Sequence, residues 1–185
     1  RIGQAKADFS TLCKVWSHSA LSLRRKLRIF DACIATKVLY GLQTAPLNKS
    51  DRCRLDGFQA RCLRTILKVR PSYESRVSNK VVLARAGRLP LSSGLLRQQL
   101  FFLAQLARRP PNDPVRCSIF LPGTVDPLPV GTRKRGRPRH SWADTVLKTA
   151  QTIAGSTENF KSLMASTAQA DKAWRATVRM FCNSL

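Results

Sequence analysis

The sequence predicts a mainly α fold, with a helical bundle lobe and a smaller helical lobe joined by a Pro-rich linker. Apolar residues recur every three or four positions through most of the chain, whereas no strand-like alternation occurs. The 185 residues are 43% hydrophobic, which is enough to bury a core. Prolines concentrate between two helical regions. We therefore divide the chain into residues 1–109, a linker at 110–139, and residues 140–185.

The first two helices of the larger lobe are indicated by apolar stripes. One helical face of the first carries Ile2, Ala5, Phe9, Leu12 and Trp16. Ser22 is placed to cap the second helix, and Gly41 is placed to end it. The apolar face of that second helix carries Leu23, Leu27, Phe30, Ile34 and Val38.

Three more helices are expected before the linker. The third begins near Ser50 or Asp51, and Pro71 ends it. Its buried stripe consists of Leu55, Phe58, Cys62 and Ile66. A short helix is predicted at residues 78–86, with Gly87 as its stop, and another carries Leu96, Leu100, Leu103 and Leu106.

The remainder of the chain changes character at residue 110. Residues 110–139 predict an extended linker, with at most a short strand at 117–121. Ser141 and Asp144 then form the pattern of a capping box that opens a helix. A last, single helix is predicted at residues 157–181.

The charge of the chain predicts a polyanionic partner. The sequence holds 33 Lys and Arg against 10 Asp and Glu, a net charge of +23. Nucleic acid is therefore the first partner to consider. No apolar run approaches the ~18 residues of a membrane span, and no secretory signal occurs, so we expect no membrane partner and an intracellular location, nuclear or cytoplasmic. Because the chain begins with Arg1, we expect it to be a piece of a longer protein.

The densest charge lies just before Ser141. It consists of Arg133, Lys134, Arg135, Arg137 and Arg139. The sequence Arg135-Gly136-Arg137-Pro138 is the core of an AT-hook, in which two Arg side chains follow a narrow minor groove. The alternative is a basic loop that contacts phosphates without regard to sequence.

Two helices carry further candidate nucleic-acid-binding residues. One side of the third helix carries Arg54, Arg61, Arg64 and Lys68. The start of the second helix carries Arg24, Arg25, Lys26 and Arg28, of which we select Arg24, Arg25 and Arg28. Side by side, these cations would form a groove wall for a nucleic-acid backbone. The alternative is a solvated helix face. The three Trp residues are expected to pack in the core rather than stack on bases.

Catalytic, metal and cofactor motifs are absent from the sequence. The acidic residues are scattered singly, and no Walker-type loop or G-x-S-x-G occurs. The six cysteines include no C-x-x-C pair, so we expect no zinc site and no disulfide framework. Cys33 and Cys62 fall on apolar helical faces and are expected to behave as small hydrophobic residues. We predict a chain that is not an enzyme and has neither metal nor cofactor.

An ordered series of short motifs runs through nearly the whole chain. The series includes Val38-Leu39-Tyr40-Gly41-Leu42, Leu55-Asp56-Gly57-Phe58-Gln59, Arg61-Cys62-Leu63-Arg64, Arg108-Arg109-Pro110, Arg135-Gly136-Arg137-Pro138 and Ala173-Trp174-Arg175. It resembles the region C-terminal to the reverse transcriptase palm in LINE-type (non-LTR) retrotransposon polyproteins. The catalytic Tyr-x-Asp-Asp of that palm is not in this chain, and Gln43 and Ala45 replace the acidic residue and Trp usual after Tyr-Gly.

The resemblance implies a thumb-like and post-thumb accessory segment that grips template, primer or target DNA through phosphate contacts. Its partners would be RNA, DNA or a hybrid duplex, together with the upstream polymerase domain of the same polyprotein. Two alternatives stay open at the level of sequence. One is a non-catalytic interaction scaffold, and the other is a decayed transposon remnant without a selected function.

Overall fold

The computed structural model describes residues 1–128 and 141–184 and confirms the mainly α class. Helices account for 72% of these residues, which contain no strand, only an isolated antiparallel bridge between Phe120 and Pro127. The α-helices are α1 (Ile2–Thr11), α2 (Cys13–Ser17), α3 (Leu23–Ile29), α4 (Thr36–Leu39), α5 (Lys49–Ile66), α6 (Ser72–Ser75), α7 (Asn79–Ala86), α8 (Leu91–Ala107), α9 (Pro114–Cys117), α10 (Trp142–Ala154), α11 (Thr157–Leu163) and α12 (Ala168–Ser184).

The chain forms two compact units. The first, here called unit 1, consists of Arg1–Leu42 and Asn48–Leu95, and unit 2 consists of Gln43–Leu47 and Leu96–Leu185. The division falls within α8, whereas the sequence placed a boundary at residue 109. The proposed linker and lobe boundaries stay a prediction.

Helix starts in unit 1 follow their capping residues. Ser22 accepts a hydrogen bond from the N–H of Arg25, as predicted for α3, and Ser78 accepts one from the N–H of Val81 at the start of α7. The helix α5 begins at Lys49, just before the predicted start. Asn48 is its N-cap and forms a reciprocal capping box with Asp51. The caps therefore decide these boundaries.

The first two predicted helices of unit 1 are less regular than expected. The predicted first helix is interrupted at Leu12 and continues as α2. Between α3 and α4 the chain forms a π-helical turn, Phe30–Ala35. Its wider hydrogen-bonding pattern places Phe30 and Ile34 in the core but turns Cys33 outward. The expectation that Cys33 lies on a buried face is therefore wrong.

The predicted apolar stripes of unit 1 differ in burial. Leu23 is 42% exposed, so its place on the buried face of α3 is wrong, and Ile2, Phe9 and Leu12 are only half-buried. The predicted stripe of α5 is buried in full. Polar side chains of the same helix also point inward. The Gln59 amide donates to the carbonyl of Leu89 at 3.0 Å and accepts from the N–H of Leu91 at 2.8 Å. The Asp56 carboxylate accepts from the N–H and the hydroxyl of Ser92, at 2.9 and 2.6 Å. The start of α8 is thereby fixed on α5, because Asp56 binds one of its unpaired N–H groups.

Two helices of unit 1 end in the same left-handed geometry. At the end of α7, Gly87 has φ +59°, and the N–H of Arg88 bonds the carbonyl of Leu83. At the end of α5, Lys68 has φ +56°, and the N–H of Val69 bonds the carbonyl of Arg64. Both are Schellman ends, in which glycine is usual because it has no Cβ. Gly87 fits this rule, and Lys68 is held in a conformation that its side chain disfavours.

Unit 2 has a core of its own, built from α8, α10, α11 and α12. All four predicted leucines of α8 are buried, and Trp174 lies fully inside. The indole N–H of Trp174 donates to the carbonyl of Leu100 at 3.1 Å. Ser141 caps α10 through the N–H of Asp144, as predicted. Trp16 and Trp174 therefore serve the cores of their units, as predicted, while Trp142 is half-buried and packs edge-on against Phe102.

The predicted single helix at residues 157–181 is wrong, because the chain forms α11 and α12 with a turn between them. The Thr167 hydroxyl accepts from the N–H of Ala170 and so starts α12. Arg108 binds the turn itself, through the carbonyls of Leu163 and Ala165 at 3.0 and 3.1 Å. Arg108 donates to carbonyls at the end of α11 that have no partner within the helix. Because Arg108 is far from α11 in sequence, helical spacing could not predict this contact.

Residues 110–128 do not have the extended conformation expected of them. Asp113 caps the short helix α9, and Phe120 is fully buried. Arg116 is buried as well, and its guanidinium binds the carbonyls of Ala107 and Thr124 at 3.2 and 2.7 Å. Prolines in this segment accompany a packed, irregular chain rather than an extended one, because buried hydrogen bonds and Phe120 fix it to the core of unit 2.

Candidate nucleic-acid interface

A groove of about 580 Å³ opens in unit 1 between α1, α2 and α5. Its apolar lining comes from one face of each helix, and consists of Ile2, Phe9, Trp16, Phe58 and Cys62. Phe9 stacks on Trp16 with ring centroids 4.8 Å apart, and the Trp16 indole N–H donates to the carbonyl of Phe9 at 2.8 Å. Aromatic packing thus fixes the wall formed by α1 and α2.

Three cationic side chains share this groove. Lys6 comes from α1, Arg61 from α5, and Lys68 from the end of α5, and all three are exposed. The lining contains no carboxylate, and no ion pair is formed by these cations with any residue that the structure describes. The groove therefore joins an apolar wall to an uncompensated positive charge, which favours an anionic ligand with an apolar part.

Three hydroxyl groups also line the groove. Ser10 donates to the carbonyl of Lys6 at 3.0 Å, Ser17 to that of Cys13 at 3.2 Å, and Thr65 to that of Arg61 at 3.3 Å. Each hydroxyl donates its single proton to a carbonyl of its own helix. The oxygen lone pairs remain, so these groups can accept hydrogen bonds from a ligand.

The two cysteines of the groove differ in reactivity. Burial raises the pKa of the Cys62 thiol to about 12, in spite of the opposing charge of Arg61. Cys62 therefore stays protonated at neutral pH and unreactive toward alkylating reagents. Cys13 is exposed and free.

Arg64 corrects the predicted cationic stripe of α5. Its guanidinium is buried and donates to the carbonyls of Arg70 and Val77, at 3.0 and 2.6 Å. It also donates to the side chains of Ser75 and Asn79. The expectation that Arg64 shares an exposed face with Arg61 is wrong, because these acceptors hold it inside.

The other predicted cations of unit 1 lie on the surface. Arg54 is exposed and precedes Arg61 by two helical turns on the same face of α5. Arg24, Arg25 and Arg28 are exposed on α3 and do not line the groove. None of the four forms an ion pair within residues 1–128 and 141–184. The neighbouring Lys26 is buried and donates to the carbonyl of Trp16 at 2.8 Å.

The dense basic cluster lies outside the described residues. This applies to Arg133, Lys134, Arg135, Arg137 and Arg139, and with them to the AT-hook hypothesis. That hypothesis stays a prediction from sequence.

Most carboxylates of the chain hold its structure. Asp171 accepts from Arg108 and Arg175, and the hydrogen bond from Arg175, assisted by the charges of both guanidinium groups, lowers its pKa. Bonds from the N–H groups of Arg116 and Val115 lower the pKa of Asp113, and Lys37 lowers that of Asp8.

Among the described residues, no three His, Cys, Asp or Glu side chains are grouped as metal ligands. No described helix is long and apolar enough to cross a membrane.

Sequence reasoning missed Lys6 and the groove as a whole. A signal was present, since Lys6 lies one turn from both Ile2 and Phe9 and thus beside the apolar face of α1. What the sequence did not show is that α1 and α2 leave space against α5.

Comparisons with protein-family models, with curated proteins and with solved structures found no match.

Proposed function

We propose that this chain is a nucleic-acid-binding accessory segment, which holds the sugar-phosphate backbone through exposed Lys and Arg. The observation that carries the proposal is the groove of unit 1, where Lys6, Arg61 and Lys68 converge without a carboxylate. Phosphates neutralised by such cations release counterions, which drives binding without sequence preference. The net charge of +23 acts in the same direction.

The resemblance to the post-palm region of non-LTR retrotransposon polyproteins gives this function a setting. In that setting the chain would contact template, primer or target DNA beside a polymerase domain, without performing the chemistry itself. Arg24, Arg25, Arg28 and Arg54 would extend the contact along unit 1. The cluster from Arg133 to Arg139 would add phosphate or minor-groove contacts.

Salt titration of binding by the full chain tests the proposal. We expect log affinity for a single strand to fall with log salt, by about 0.7 for each phosphate contacted. The triple variant Lys6→Gln, Arg61→Gln, Lys68→Gln should reduce that slope by about 2, because it removes three contacts. A second triple, Arg24→Gln, Arg25→Gln, Arg28→Gln, measures the contribution of the α3 surface in the same way.

A charge-matched control separates the groove from general attraction. Lys49, Lys80 and Arg85 are exposed in unit 1, outside the groove, and have no ion-pair partner in the part of the chain described. Changing these three to Gln lowers net charge equally and should leave most of the slope unchanged. Equal losses in the groove triple and this control would show that the groove has no special role. A binding constant independent of salt in the unaltered chain would overturn the proposal.

A second experiment addresses the interaction scaffold. Transfer RNA and an acidic polypeptide of similar charge compete for the chain at fixed ionic strength. We expect the RNA to win, and preference for the polypeptide would favour the scaffold.

A further inference from the structure

We infer that the groove of unit 1 receives unpaired bases of a single-stranded nucleic acid, while its rim binds the phosphates of that strand. This inference rests on the proposed function and adds to it the form of the ligand. It follows from the lining of the groove, where three kinds of group select three different parts of one ligand.

The cations account for the phosphates only. Lys6, Arg61 and Lys68 would serve equally well on a duplex, whose backbone is its outer surface. The apolar lining gains nothing from a duplex, because paired bases are stacked inside it. Unpaired bases expose their faces, and such faces bind apolar and aromatic side chains. In the groove the accessible apolar surface comes from the half-buried Ile2 and Phe9, because Trp16, Phe58 and Cys62 are buried behind them.

The hydroxyl groups supply the second distinction. Ser10, Ser17 and Thr65 donate to carbonyls of their own helices and keep oxygen lone pairs that can accept. A phosphate diester has no proton to donate, so those lone pairs can be used only by a ligand that carries N–H or O–H groups. Unpaired bases carry N–H donors on their Watson–Crick edges, and in a duplex those donors are occupied by pairing. Acceptors beside an apolar wall therefore match a free base.

The size of the groove agrees with this ligand. Its volume of about 580 Å³ falls within the range of roughly 300–1,000 Å³ for pockets that enclose small organic molecules. One or two nucleotides are of that class. The opening between helices leaves the remaining strand outside, where Arg54 continues the positive face of α5.

Protection of Cys13 provides a direct measurement. Cys13 lines the groove and is exposed, while Cys33 and Cys53 are exposed in unit 1 outside it. The full chain is treated with N-ethylmaleimide, an uncharged reagent, and the extent of modification at each cysteine is read by mass spectrometry. The ligands are a mixed-sequence DNA strand, the same strand as RNA, an abasic strand of equal length, and a duplex, each at saturating concentration.

We expect both base-containing strands to slow modification of Cys13 at least about fivefold, with Cys33 and Cys53 unchanged. The abasic strand and the duplex should protect much less, because they fill the rim but not the groove. Stronger protection by RNA than by DNA would assign a donor role to the 2′-hydroxyl. Equal protection of Cys13 by all four ligands would overturn the inference and leave phosphate binding intact. Protection of Cys13 by none of them, with salt-dependent binding retained, would have the same meaning.

Filled grooves give an independent readout. Ser10→Leu with Thr65→Leu occupies the groove and removes two acceptors without changing charge. Thr11→Leu with Thr36→Leu is its control, since both residues are exposed, bond their own helices and lie outside the groove. The groove variant should lose about tenfold in affinity for a base-containing strand and little for the abasic strand. Equal losses on both strands would contradict base binding. Loss of all binding in the unaltered chain would instead overturn the proposed function.

Discussion

The groove of unit 1 and the Arg108 region of unit 2 use the same residue types in opposite ways. In unit 2, Arg108 and Arg175 both bind Asp171, and Arg175 also lies over the ring of Phe101 at 5.2 Å. In the groove, Lys6, Arg61 and Lys68 have no carboxylate beside them. Cations that are bonded to the fold are unavailable to a ligand, so net charge alone overstates the binding surface.

Both uses of arginine, the proposed binding of a ligand and the stabilisation of the fold, are found on the single helix α5. Arg61 and Arg64 are one turn apart on α5, yet Arg61 is exposed in the groove and Arg64 is buried among acceptors. Substitutions at these two positions therefore compare the two uses of arginine at nearly the same place.

Arg64→Met should produce the largest loss of stability. It keeps an apolar stem but removes four hydrogen bonds, among them the side-chain donor to the carbonyl of Val77, and each unsatisfied buried group costs about 1–3 kcal/mol. We expect the free energy of unfolding to fall by about 3 kcal/mol, measured by urea denaturation followed by circular dichroism. Arg64→Lys should recover only part, because an ammonium cannot reproduce the fork of a guanidinium.

The matched variant Arg61→Met should change stability by less than about 0.5 kcal/mol and lower affinity for nucleic acid. If Arg61 proved as costly to stability as Arg64, the distinction between structural and ligand-binding arginines on α5 would fail.

Asp171→Asn should weaken unit 2 in a pH-dependent way. The charged hydrogen bonds from Arg108 and Arg175 lower the pKa of Asp171 in the folded chain, so its stabilising effect is present above the unfolded value of about 3.9 and is lost as pH falls through the folded value. At pH 7 we expect the variant to lose about 1.5 kcal/mol, a modest figure because the carboxylate is partly exposed.

Thermal unfolding between pH 7 and pH 2 tests this expectation. The gap between variant and parent should begin to narrow below about pH 4, where Asp171 is protonated in the unfolded state, and should close as pH falls through its lower pKa in the folded state. Glu158→Gln, at the exposed first turn of α11, is the control and should shift stability by less than about 0.5 kcal/mol. A constant gap at all pH values would mean that packing, rather than charge, makes Asp171 important.

Local signals in the sequence were sufficient for much of the fold. Ser22 and Ser141 cap helices as their positions predicted, because capping depends on residues three positions apart. The break after α11 was missed in part because Arg108, distant in sequence, binds carbonyls in the turn, although the Thr167 cap of α12 is a local feature of the sequence. The packed segment at residues 110–128 was missed for the same reason, since a contact across the unit overrides the local preference of proline.

The candidate site was only partly predictable. Arg54, Arg61 and Lys68 were identified by helical spacing, but spacing alone does not tell a solvated cation from one bonded to carbonyls, as Arg64 is. The acceptors of Arg64 lie in a segment that contains Arg76 at φ +52°. This left-handed conformation is uncommon for arginine, and the residue pattern does not predict it. Several residues that carry the family resemblance have structural roles that explain their identity without reference to binding. Examples are Asp56, Gln59 and Trp174, whose side chains form hydrogen bonds within the fold.

The smallest expected effect is at Lys68, where one substitution tests whether this lysine binds the ligand or supports the fold. This residue holds the left-handed position that Gly87 occupies at the end of α7, and it lines the groove. Lys68→Gly relieves the disfavoured backbone and should raise the free energy of unfolding by about 1 kcal/mol, while it lowers affinity for nucleic acid. Gly87→Lys, at a site with open space around the missing Cβ, should lower stability by a similar amount and leave affinity nearly unchanged. Denaturation and anisotropy on the same two proteins give both quantities. Opposite signs for stability and affinity at Lys68 are what a ligand-binding lysine at a strained position requires, and a simultaneous fall in both would make Lys68 a structural residue.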